Sequence, residues 1–489
     1  MKNTKIVCTL GPASSDDETL DAMIASGMDV ARLNFSHGEK KTHEGTLARV
    51  RAAADRAGRE IAVLQDLQGP KIRVGKLTGG TMQLSAGTSV SIAVGSQQTD
   101  PSVIPTTYAG LPGDVSPGDT ILMDDGLLRL RVREVVGERV VADVEVGGLL
   151  KDRKGINLPG VRVSAPALTE KDLADLDFGA QLDVDFLCLS FVRTPEDVLL
   201  AKRRLEALGR TTPVIAKIEK PLAVQNLDAI LDVTDGIMVA RGDLGVEMGP
   251  EKVPLIQKHC IEQANLRGKL VITATQMLES MVESAFPTRA EASDVANAVL
   301  DQTDAVMLSG ETATGKHPAL VVETMARIIA EVEGSTRYRK AAELPPLAMK
   351  STSNAVASAA AAAAEALSEV VAIVCISTHG ITPTLLSDYR PRVPVLALTK
   401  EAAHCRRLAA YWGVHPVRFD FDDVESTEET IGRAEAKLMA DGLVKRGEKI
   451  IITMAVPAMS GLHTNTLKIH RVGTHQSTVD DLGAGIVMS

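Results

Sequence analysis

Short apolar runs alternate with amphipathic segments along much of the chain. Eight runs rich in β-branched residues predict strands, at Ile6–Leu10, Asp29–Asn34, Ile61–Asp66, Asp185–Phe191, Val214–Glu219, Gly236–Arg241, Lys269–Thr275 and Asp304–Ser309. Most are followed by a helical pattern, as at Ser15–Ser26, Glu44–Arg56, Glu196–Leu208 and Ala319–Glu331. Eight strand–helix pairs over about 250 residues predict an α/β fold of the (β/α)₈ TIM-barrel type.

One stretch between the third and fourth predicted strands differs in composition and periodicity from the rest of the barrel. It is rich in Gly, Pro, Thr and Val, nearly lacks helical periodicity, and carries turn signals such as Thr78-Gly79-Gly80 and Pro117-Gly118-Asp119. This pattern predicts an all-β domain, a small β-barrel, inserted into a loop of the larger barrel. Because the insertion follows the carboxyl end of a strand, we expect it to lie over the barrel mouth as a lid.

A second α/β block begins after Leu344-Pro345-Pro346. Its apolar runs, Val370–Ile376, Val393–Leu398, His415–Phe419 and Lys449–Met454, alternate with helical segments. The alanine-rich segment Ala355–Ala366 predicts a buried helix, since alanine favours helices and is only weakly hydrophobic. The predicted organisation is a barrel domain at 1–68 and 165–345, a lid at 69–164, a C-terminal α/β domain at 346–475 and a loose tail at 476–489.

Composition excludes several classes of function. The net charge is −10 and aromatic residues make up 2% of the chain, which argues against binding to nucleic acid or to an acidic membrane. No strongly apolar run reaches 18 residues, and the amino terminus has no signal-peptide pattern. The five cysteines are widely spaced and show no metal-ligand pattern, so we expect reduced thiols in a cytoplasmic protein.

Charged residues collect at the carboxyl ends of the predicted strands, where barrels of this type build their sites. Side chains alternate along a strand, so Lys217 and Glu219 share a face, and Arg241 and Asp243 do so if their strand persists that far. By the same spacing Arg32, Asn34 and Ser36 share a face. Two carboxylates, Glu219 and Asp243, suit Mg²⁺, and cations suit a phosphoryl group. This convergence predicts metal-assisted phosphoryl transfer.

Each of these signals also has a purely structural interpretation. Arg241 with its Gly-Asp neighbours can close a strand–helix turn, and Lys217 with Glu219 can form an internal salt bridge. Thr275 and Ser309 can be helix N-caps, His37 an ordinary loop residue, and Asp124-Asp125-Gly126 a hairpin turn. The segment from Gly310 to His317 is close to a phosphate-binding Walker A loop, but His317 stands where that loop needs Ser or Thr.

A series of strings in this chain closely resembles pyruvate kinases, in order and over nearly the whole length. They include TKIVCTLGPAS, ARLNFSHG, DLQGPKIR, KGINLPG, IAKIEK, MVARGDLGVE, TATQMLESM, PTRAEASDVANAV and MLSGETATGKHP. The resemblance implies a barrel with an inserted β lid and a C-terminal α/β domain. It also implies transfer of the phosphoryl group of phosphoenolpyruvate to ADP, giving pyruvate and ATP as the last step of glycolysis, with Mg²⁺ or Mn²⁺.

The resemblance also implies roles for individual residues. Lys217 is expected to stabilise the transferring phosphoryl group, and Glu219 and Asp243 to hold the divalent ion. The remaining expected roles are substrate-carboxylate binding by Gly242, Asp243 and Thr275, phosphate contacts by Arg32 and Arg73, nucleotide binding by Asn34, Ser36, His37, Arg73 and Lys154, and proton delivery by Thr275 and Ser309.

One departure from the family pattern concerns K⁺. Many members bind K⁺ near residues matching Asn34, Ser36 and Asp66 and near a threonine, where this chain has Leu67. Lys71 stands where those members have a carboxylate, so its ammonium group is expected to replace the ion, and K⁺ is not expected to be required.

The C-terminal block resembles the family's regulatory domain. Its predicted effector loop contains Ser377, Thr378, His379, Gly380 and Thr382, near a second segment at Ser460–Thr466. The resemblance implies a homotetramer and allows a phosphorylated allosteric effector.

Two rival interpretations remain at this point. A Mg²⁺-dependent barrel lyase acting on pyruvate enolates would share Glu219 and Asp243, and a regulatory pseudokinase or scaffold would tolerate a broken catalytic set. Every key position here carries a competent residue, and formation of ATP separates the kinase from both.

Overall fold

The computed structural model describes residues 2–341, 350–422, 424, 426–457 and 463–474. The predicted domain boundary at 345–346, the start of the segment Ser460–Thr466 and the predicted tail at 476–489 lie outside the described residues.

Eight parallel strands close into a barrel, which confirms the predicted fold class. They are β1 (Lys5–Thr9), β2 (Val30–Asn34), β3 (Ala62–Asp66), β12 (Phe186–Leu189), β13 (Val214–Ile218), β14 (Gly236–Ala240), β15 (Leu270–Ala274) and β16 (Ala305–Leu308). Around the barrel the order is β1-β16-β15-β14-β13-β12-β3-β2. These strands are almost entirely buried on both faces, which is why each appears in the sequence as a continuous apolar run.

Helices cover the outside of the barrel and follow its strands. They are α1 (Asp17–Ser26), α2 (Lys40–Ala57), α4 (Glu170–Gln181), α5 (Pro195–Ala207), α6 (Pro221–Gln225), α7 (Leu227–Val233), α8 (Arg241–Met248), α9 (Val253–Leu266), α10 (Arg289–Leu300), α11 (Gly310–Ala313), α12 (Pro318–Glu333) and α13 (Thr336–Ala341). Their starts carry local signals, such as Asp16 accepting from the Thr19 amide and a capping box between Thr288 and Glu291. Among the described residues, no helix has the length and apolarity to cross a bilayer.

The inserted β unit, as we call the strands between β3 and β12, contains β4 (Thr81–Leu84), β5 (Ser89–Val94), β6 (Val103–Thr106), β7 (Thr120–Met123), β8 (Leu128–Val136), β9 (Arg139–Val146), β10 (Gly148–Lys151) and β11 (Ile156–Asn157), with one short helix, α3 (Leu111–Asp114). Six strands form one sheet in the order β11-β7-β8-β9-β5-β6. Bridges from Arg73 to Gly155 and from Val74 to Thr106 connect the two edges of this sheet. The predicted turn at Asp124-Asp125-Gly126 is confirmed, since it joins β7 to β8 with positive φ at both aspartates.

The C-terminal block is a five-stranded sheet with helices. Its elements are α14 (Thr352–Ala366), β17 (Val370–Ile376), α15 (Ile381–Asp388), β18 (Val395–Thr399), α16 (Ala402–Leu408), β19 (Val414–Arg418), α17 (Thr427–Ala440), β20 (Lys449–Met454) and β21 (Thr466–Arg471). The strand order is β19-β18-β17-β20-β21, and only β21 runs antiparallel to its neighbour among these described strands. The apolar runs did not predict β21, because this edge strand has only one buried residue, His470. The alanine-rich segment is helical as expected, with one face buried through Ala357, Ala360 and Ala364.

A buried ionic cluster joins the barrel to the C-terminal block. The side chain of Arg390 is fully buried, and its Nη1 lies 2.8 Å from a carboxylate oxygen of Asp304. The guanidinium group also lies 5.1 Å from the ring centre of Trp412 and donates to the carbonyl of Gln302. Asp388 is buried nearby. Burial and the charge of Asp304 raise the pKa of Asp388 well above its usual value, although Arg390 opposes this shift.

We expect the two buried aspartates to respond oppositely to conversion to asparagine. Asp304→Asn leaves Arg390 as a buried cation without its closest carboxylate and should lower the free energy of unfolding by about 3–5 kcal/mol. Because the raised pKa means that the folded state binds a proton at Asp388 more tightly than the unfolded state, stability falls as pH rises towards that raised pKa. Asp388→Asn should therefore raise the thermal unfolding midpoint at pH 8, and this gain should shrink at pH 5. Scanning fluorimetry at both pH values checks this, and destabilisation of equal size by both changes would contradict it.

Candidate active site

A buried carboxylate at the end of β3 gathers two cations from neighbouring strands. Asp66 accepts a hydrogen bond of 2.7 Å from Nε of Arg32, at β2, and its other oxygen lies 3.8 Å from Nζ of Lys217, on β13. Ser190, just after β12, accepts from Lys217 at 2.8 Å and donates to the carbonyl of Leu67. Arg32, Asp66 and Lys217 therefore meet at the carboxyl ends of their strands.

Lys217 keeps its charge in this setting. Its side chain is 13% exposed, and burial by itself would lower its pKa. The negative charges of Asp66 and Glu219 outweigh burial and raise the pKa of Lys217 above its usual value. The side chain is thus a fixed ammonium group at neutral pH.

Glu219 lies beside Lys217 and retains one carboxylate oxygen without a hydrogen bond. Oε1 accepts from the amide of Phe191 at 2.5 Å, whereas Oε2 lies 3.4 Å from Nζ of Lys217 and accepts no hydrogen bond from the described residues. Burial, followed by the charge of Asp243, raises the pKa of Glu219 despite Lys217. The salt bridge between Lys217 and Glu219, expected from the structural interpretation, is therefore present, but it leaves Oε2 of Glu219 without a hydrogen bond. A buried, unsatisfied carboxylate near a second carboxylate fits a divalent cation.

The described residues contain no group of three or more His, Cys, Asp or Glu side chains arranged for metal binding. A cation held by Glu219 and Asp243 would therefore take its remaining ligands from substrate oxygens and water, as Mg²⁺ usually does.

Arg241 is turned away from this centre. Strand β14 ends at Ala240 and α8 begins at Arg241, so the strand does not persist to Asp243 and the condition for the alternation of Arg241 and Asp243 is not met. The guanidinium group donates to the carbonyl of Thr275 at 2.7 Å and pairs with Asp294. Arg241 therefore supports the loop after β15, as its structural interpretation proposed, although its ionic partner is Asp294 and not Asp243.

Thr275 adopts a strained backbone conformation at the start of α8. Its φ is 72°, and that of Gln276 is 53°, in a region that β-branched residues rarely occupy. The Thr275 hydroxyl accepts a hydrogen bond of 2.8 Å from the amide of Gly242, in the first turn of α8. Thr275 thus caps α8, the helix that follows the neighbouring strand β14. Strain at a helix amino terminus, beside Asp243, is typical of a ligand site.

Ser309 has a buried hydroxyl that no described residue engages. It lies at the N-cap position of α11, yet its side chain does not cap that helix. Instead, buried Glu311 accepts from the amides of Ser309 and Leu278. Glu311 therefore organises this turn, which agrees with rejecting a Walker A loop here.

Asn34 and Arg73, two of the residues predicted for the nucleotide, lie near His37, whose amide donates to the carbonyl of Asn34. Burial and then the charges of Arg73, Lys71 and Arg32 lower the pKa of His37, so the imidazole is neutral at neutral pH. Asn34 accepts from the Ser36 amide through its side chain.

Two further predicted residues have structural roles in this conformation. Lys154 pairs with Asp124 of the β7–β8 turn at 2.7 Å. Leu67 is buried in the barrel core, so its side chain offers no cation ligand.

A cleft of about 1090 Å³ separates the inserted β unit from the barrel. Lys71, Asp125 and Gly126 line it on one side, and Gly242, Asp243 and Thr275 line it on the other. Sequence reasoning missed Ser190 and Phe191, which directly follow β12. Ser190 accepts from Lys217, and the amide of Phe191 donates to Glu219. Their only signal was their position at a strand's carboxyl end, since neither residue is charged.

The two predicted segments of the effector region meet in the C-terminal block. The hydroxyl of Thr382 lies 2.6 Å from that of Thr464. The Ser377 hydroxyl accepts a hydrogen bond from the amide of Gly380, whose φ is 76°. Nδ1 of His404 lies 3.1 Å from the carbonyl oxygen of Thr378. His379 lies near His404 as well, with 6.1 Å between ring centres.

Comparisons with known proteins agree on one family. The family model described as pyruvate kinase, barrel domain, matches residues 1–322, and the model described as pyruvate kinase, alpha/beta domain, matches residues 354–470. The pyruvate kinase of Mycobacterium tuberculosis is 45% identical over 96% of this chain and 98% of its own length. That of Staphylococcus aureus is 43% identical over 100% of this chain and 83% of its own length. A crystal structure of a pyruvate kinase from Cryptosporidium parvum superposes with a TM-score of 0.88 at 36% identity, covering 96% of both chains.

Proposed function

The chain belongs to the pyruvate kinase family, and on this premise we propose which of its residues perform the family's reaction. The protein is a phosphotransferase that converts phosphoenolpyruvate and ADP to pyruvate and ATP, and its family depends on a divalent metal. The observation that carries the residue assignment is the buried cluster of Lys217, Arg32, Asp66 and Glu219 at the barrel's carboxyl end. A coupled assay of ATP formation tests the activity and separates it from a lyase or an inactive relative.

Lys217 is the proposed electrostatic centre of the reaction. Phosphoryl transfer depends mainly on positioning and on stabilising charge that develops in the transition state. Asp66 and Ser190 hold the Lys217 ammonium group in place before substrate arrives, so little reorganisation is needed. Arg32, fixed by Asp66 and by the hydroxyl of Thr9, adds a second cation for the phosphoryl oxygens, and Arg73, which donates to the carbonyl of Arg153, is the proposed third.

Glu219 and Asp243 are the proposed ligands of Mg²⁺ or Mn²⁺. Such an ion, when bound, supplies positive charge to the substrate oxygens that it contacts. The amide of Phe191 fixes one oxygen of Glu219, which leaves the other directed for coordination.

The start of α8 is the proposed subsite for the substrate carboxylate. The amides of Gly242 and Asp243 lie in the first turn of α8, where N–H groups without intrahelical partners favour an anion, and in the unliganded site the Gly242 amide donates to the Thr275 hydroxyl. Thr275 and Ser309 are the proposed routes by which a proton reaches the enolate carbon. The Ser309 hydroxyl suits this role because it has no hydrogen bond to the described residues. Asn34, Ser36, His37 and Lys154 are proposed to contact the nucleotide.

K⁺ independence follows from Lys71. The Lys71 side chain lines the cleft and is close enough to His37 to influence its pKa, so it brings a fixed positive charge to this side of the site. We expect at least half of full activity in buffer that contains tetramethylammonium as the monovalent cation. Lys71→Glu should create a K⁺ requirement of about tenfold or more in kcat. Lys76→Glu, at an exposed position in the same segment, is the control, and strong K⁺ stimulation of the unaltered enzyme would refute the proposal.

Regulation and assembly also belong to this proposal. The Thr382–Thr464 contact supports a site for a phosphorylated effector built from the loop at Ser377–Thr382 and the segment before β21. A homotetramer is proposed from the family. Sedimentation analysis with and without sugar phosphates or nucleotides tests both.

A further inference from the structure

A second cavity lies where residues 70–72, which we call the hinge, lead from the barrel into the inserted β unit. Its volume is about 430 Å³, within the range of small-molecule sites. Its walls come from the hinge segment at Pro70–Ile72, from the returning segment at Ile156–Val163, and from the barrel loops after β12 and β13. None of the proposed metal, phosphate or nucleotide residues lines it among the described residues, and only Lys71 borders both this cavity and the cleft. We call it the hinge pocket.

Much of the wall of the hinge pocket is apolar, and hydrogen bonds hold one of its segments in place. Leu158, Val161, Phe191 and Leu222 contribute apolar surface. Arg193 holds the returning segment by donating to the carbonyls of Val163 and Ala165 at 2.7 and 3.0 Å. The pocket therefore has a defined shape that depends on the position of the inserted β unit.

The charges around the hinge pocket favour an anion. Four cations line it, at Lys71, Arg162, Arg193 and Lys220, against one carboxylate, Glu247. Glu247 is already engaged, since it accepts from Lys220 at 2.6 Å and from Asn157 at 2.9 Å. Within the described part of the chain, Lys71 and Arg162 form no ion pair.

We propose that the hinge pocket binds a small molecule that combines an apolar body, such as an aromatic ring system, with one anionic group. The apolar body would lie against Phe191 and Leu222, and the anion would face Arg162 and Lys71. The Phe191 amide holds Glu219, and Glu247 connects α8 to β11 through Asn157. An occupant therefore contacts the inserted β unit and the loop that fixes a proposed metal ligand, and it should restrict their relative movement.

Calorimetric titration with 2-naphthoate, compared with neutral 2-naphthamide, tests this proposal. We expect the carboxylate to bind at least about tenfold more tightly than the amide, because only the carboxylate complements the local charge. Leu222→Trp should abolish binding by filling the cavity, whereas Leu149→Trp, at an exposed site on β10, should not. Arg162→Glu should weaken binding by about tenfold or more, whereas Arg133→Glu, an exposed site on β8, should leave it unchanged. Arg162 is exposed, so this variant keeps the test valid if Leu222→Trp fails to fold.

Competition and turnover complete the test. Saturating phosphoenolpyruvate and ADP should leave 2-naphthoate bound, and the ligand should lower kcat with little change in KM for phosphoenolpyruvate. Equal binding of the amide, displacement by either substrate, or unchanged binding by Leu222→Trp would overturn the site. Binding with unchanged kcat would overturn the coupling to the inserted β unit. The effect on turnover rests on the proposed function, whereas binding of 2-naphthoate does not. A failure of the hinge pocket and a failure of the proposed function can therefore be told apart.

Discussion

Lys217→Met is expected to lower kcat by roughly 10³-fold or more, which is the scale of removing a cation that stabilises a transferring phosphoryl group. Methionine keeps an unbranched side chain of similar length and removes the ammonium group that faces Ser190, Asp66 and Glu219. Steady-state kinetics with a coupled assay measure the effect. KM for phosphoenolpyruvate should change much less than kcat, because the charge matters most in the transition state.

The control for this variant is Lys202→Met. Lys202 lies on α5 of the same barrel and pairs at the surface with Asp235, so its loss should alter kcat by less than about twofold. Circular dichroism and thermal unfolding establish that the Lys217 variant is folded. Turnover within tenfold of the unaltered enzyme, in a folded Lys217→Met protein, would remove the electrostatic basis of the proposed mechanism.

Glu219→Gln is expected to weaken Mn²⁺ binding by at least about 100-fold, since even residues outside the ligand set change metal affinity 10- to 100-fold. Glutamine retains the shape of the side chain and an acceptor for the Phe191 amide, but it loses the negative charge at the unsatisfied position of Oε2. Electron paramagnetic resonance titration of Mn²⁺ measures this affinity without reliance on turnover. kcat/KM at fixed Mg²⁺ should fall in parallel.

Glu206→Gln, at an exposed position on α5, is the matched control and should leave the Mn²⁺ affinity unchanged. Asp243→Asn should resemble Glu219→Gln, because the two carboxylates are proposed to hold the same ion. An unchanged Mn²⁺ affinity in both folded variants would place the metal elsewhere.

The barrel was predictable because its signal is local. Each strand is buried on both faces and therefore forms a continuous apolar run, and observed strand ends differ from predicted ones by only a few residues. The alternation of side chains likewise placed Lys217 and Glu219 together, and the structure brings these two groups to 3.4 Å. Edge strand β21 was missed because a strand with only one buried residue carries little apolar pattern.

The roles of several site residues depended on contacts that no local pattern encodes. Arg241 was expected to share a face with Asp243 if its strand persisted, but β14 ends at Ala240, and Asp294 pairs with Arg241 beside the loop after β15. Ser190 and Phe191 carry no charge, and they matter only because barrel closure places β12 between β3 and β13.

The sequence by itself thus determined the eightfold strand–helix order, the inserted β segment and the chemical types available at the strand ends. These features follow from the alternation and burial of residues that are near neighbours along the chain. Only the tertiary structure decided that Asp66 joins Arg32 to Lys217, that Oε2 of Glu219 is left without a hydrogen bond, and that a positively charged pocket lies behind the hinge. Those features depend on which distant segments pack together, because the partner that satisfies or exposes a polar group is chosen by packing and not by its neighbours in sequence.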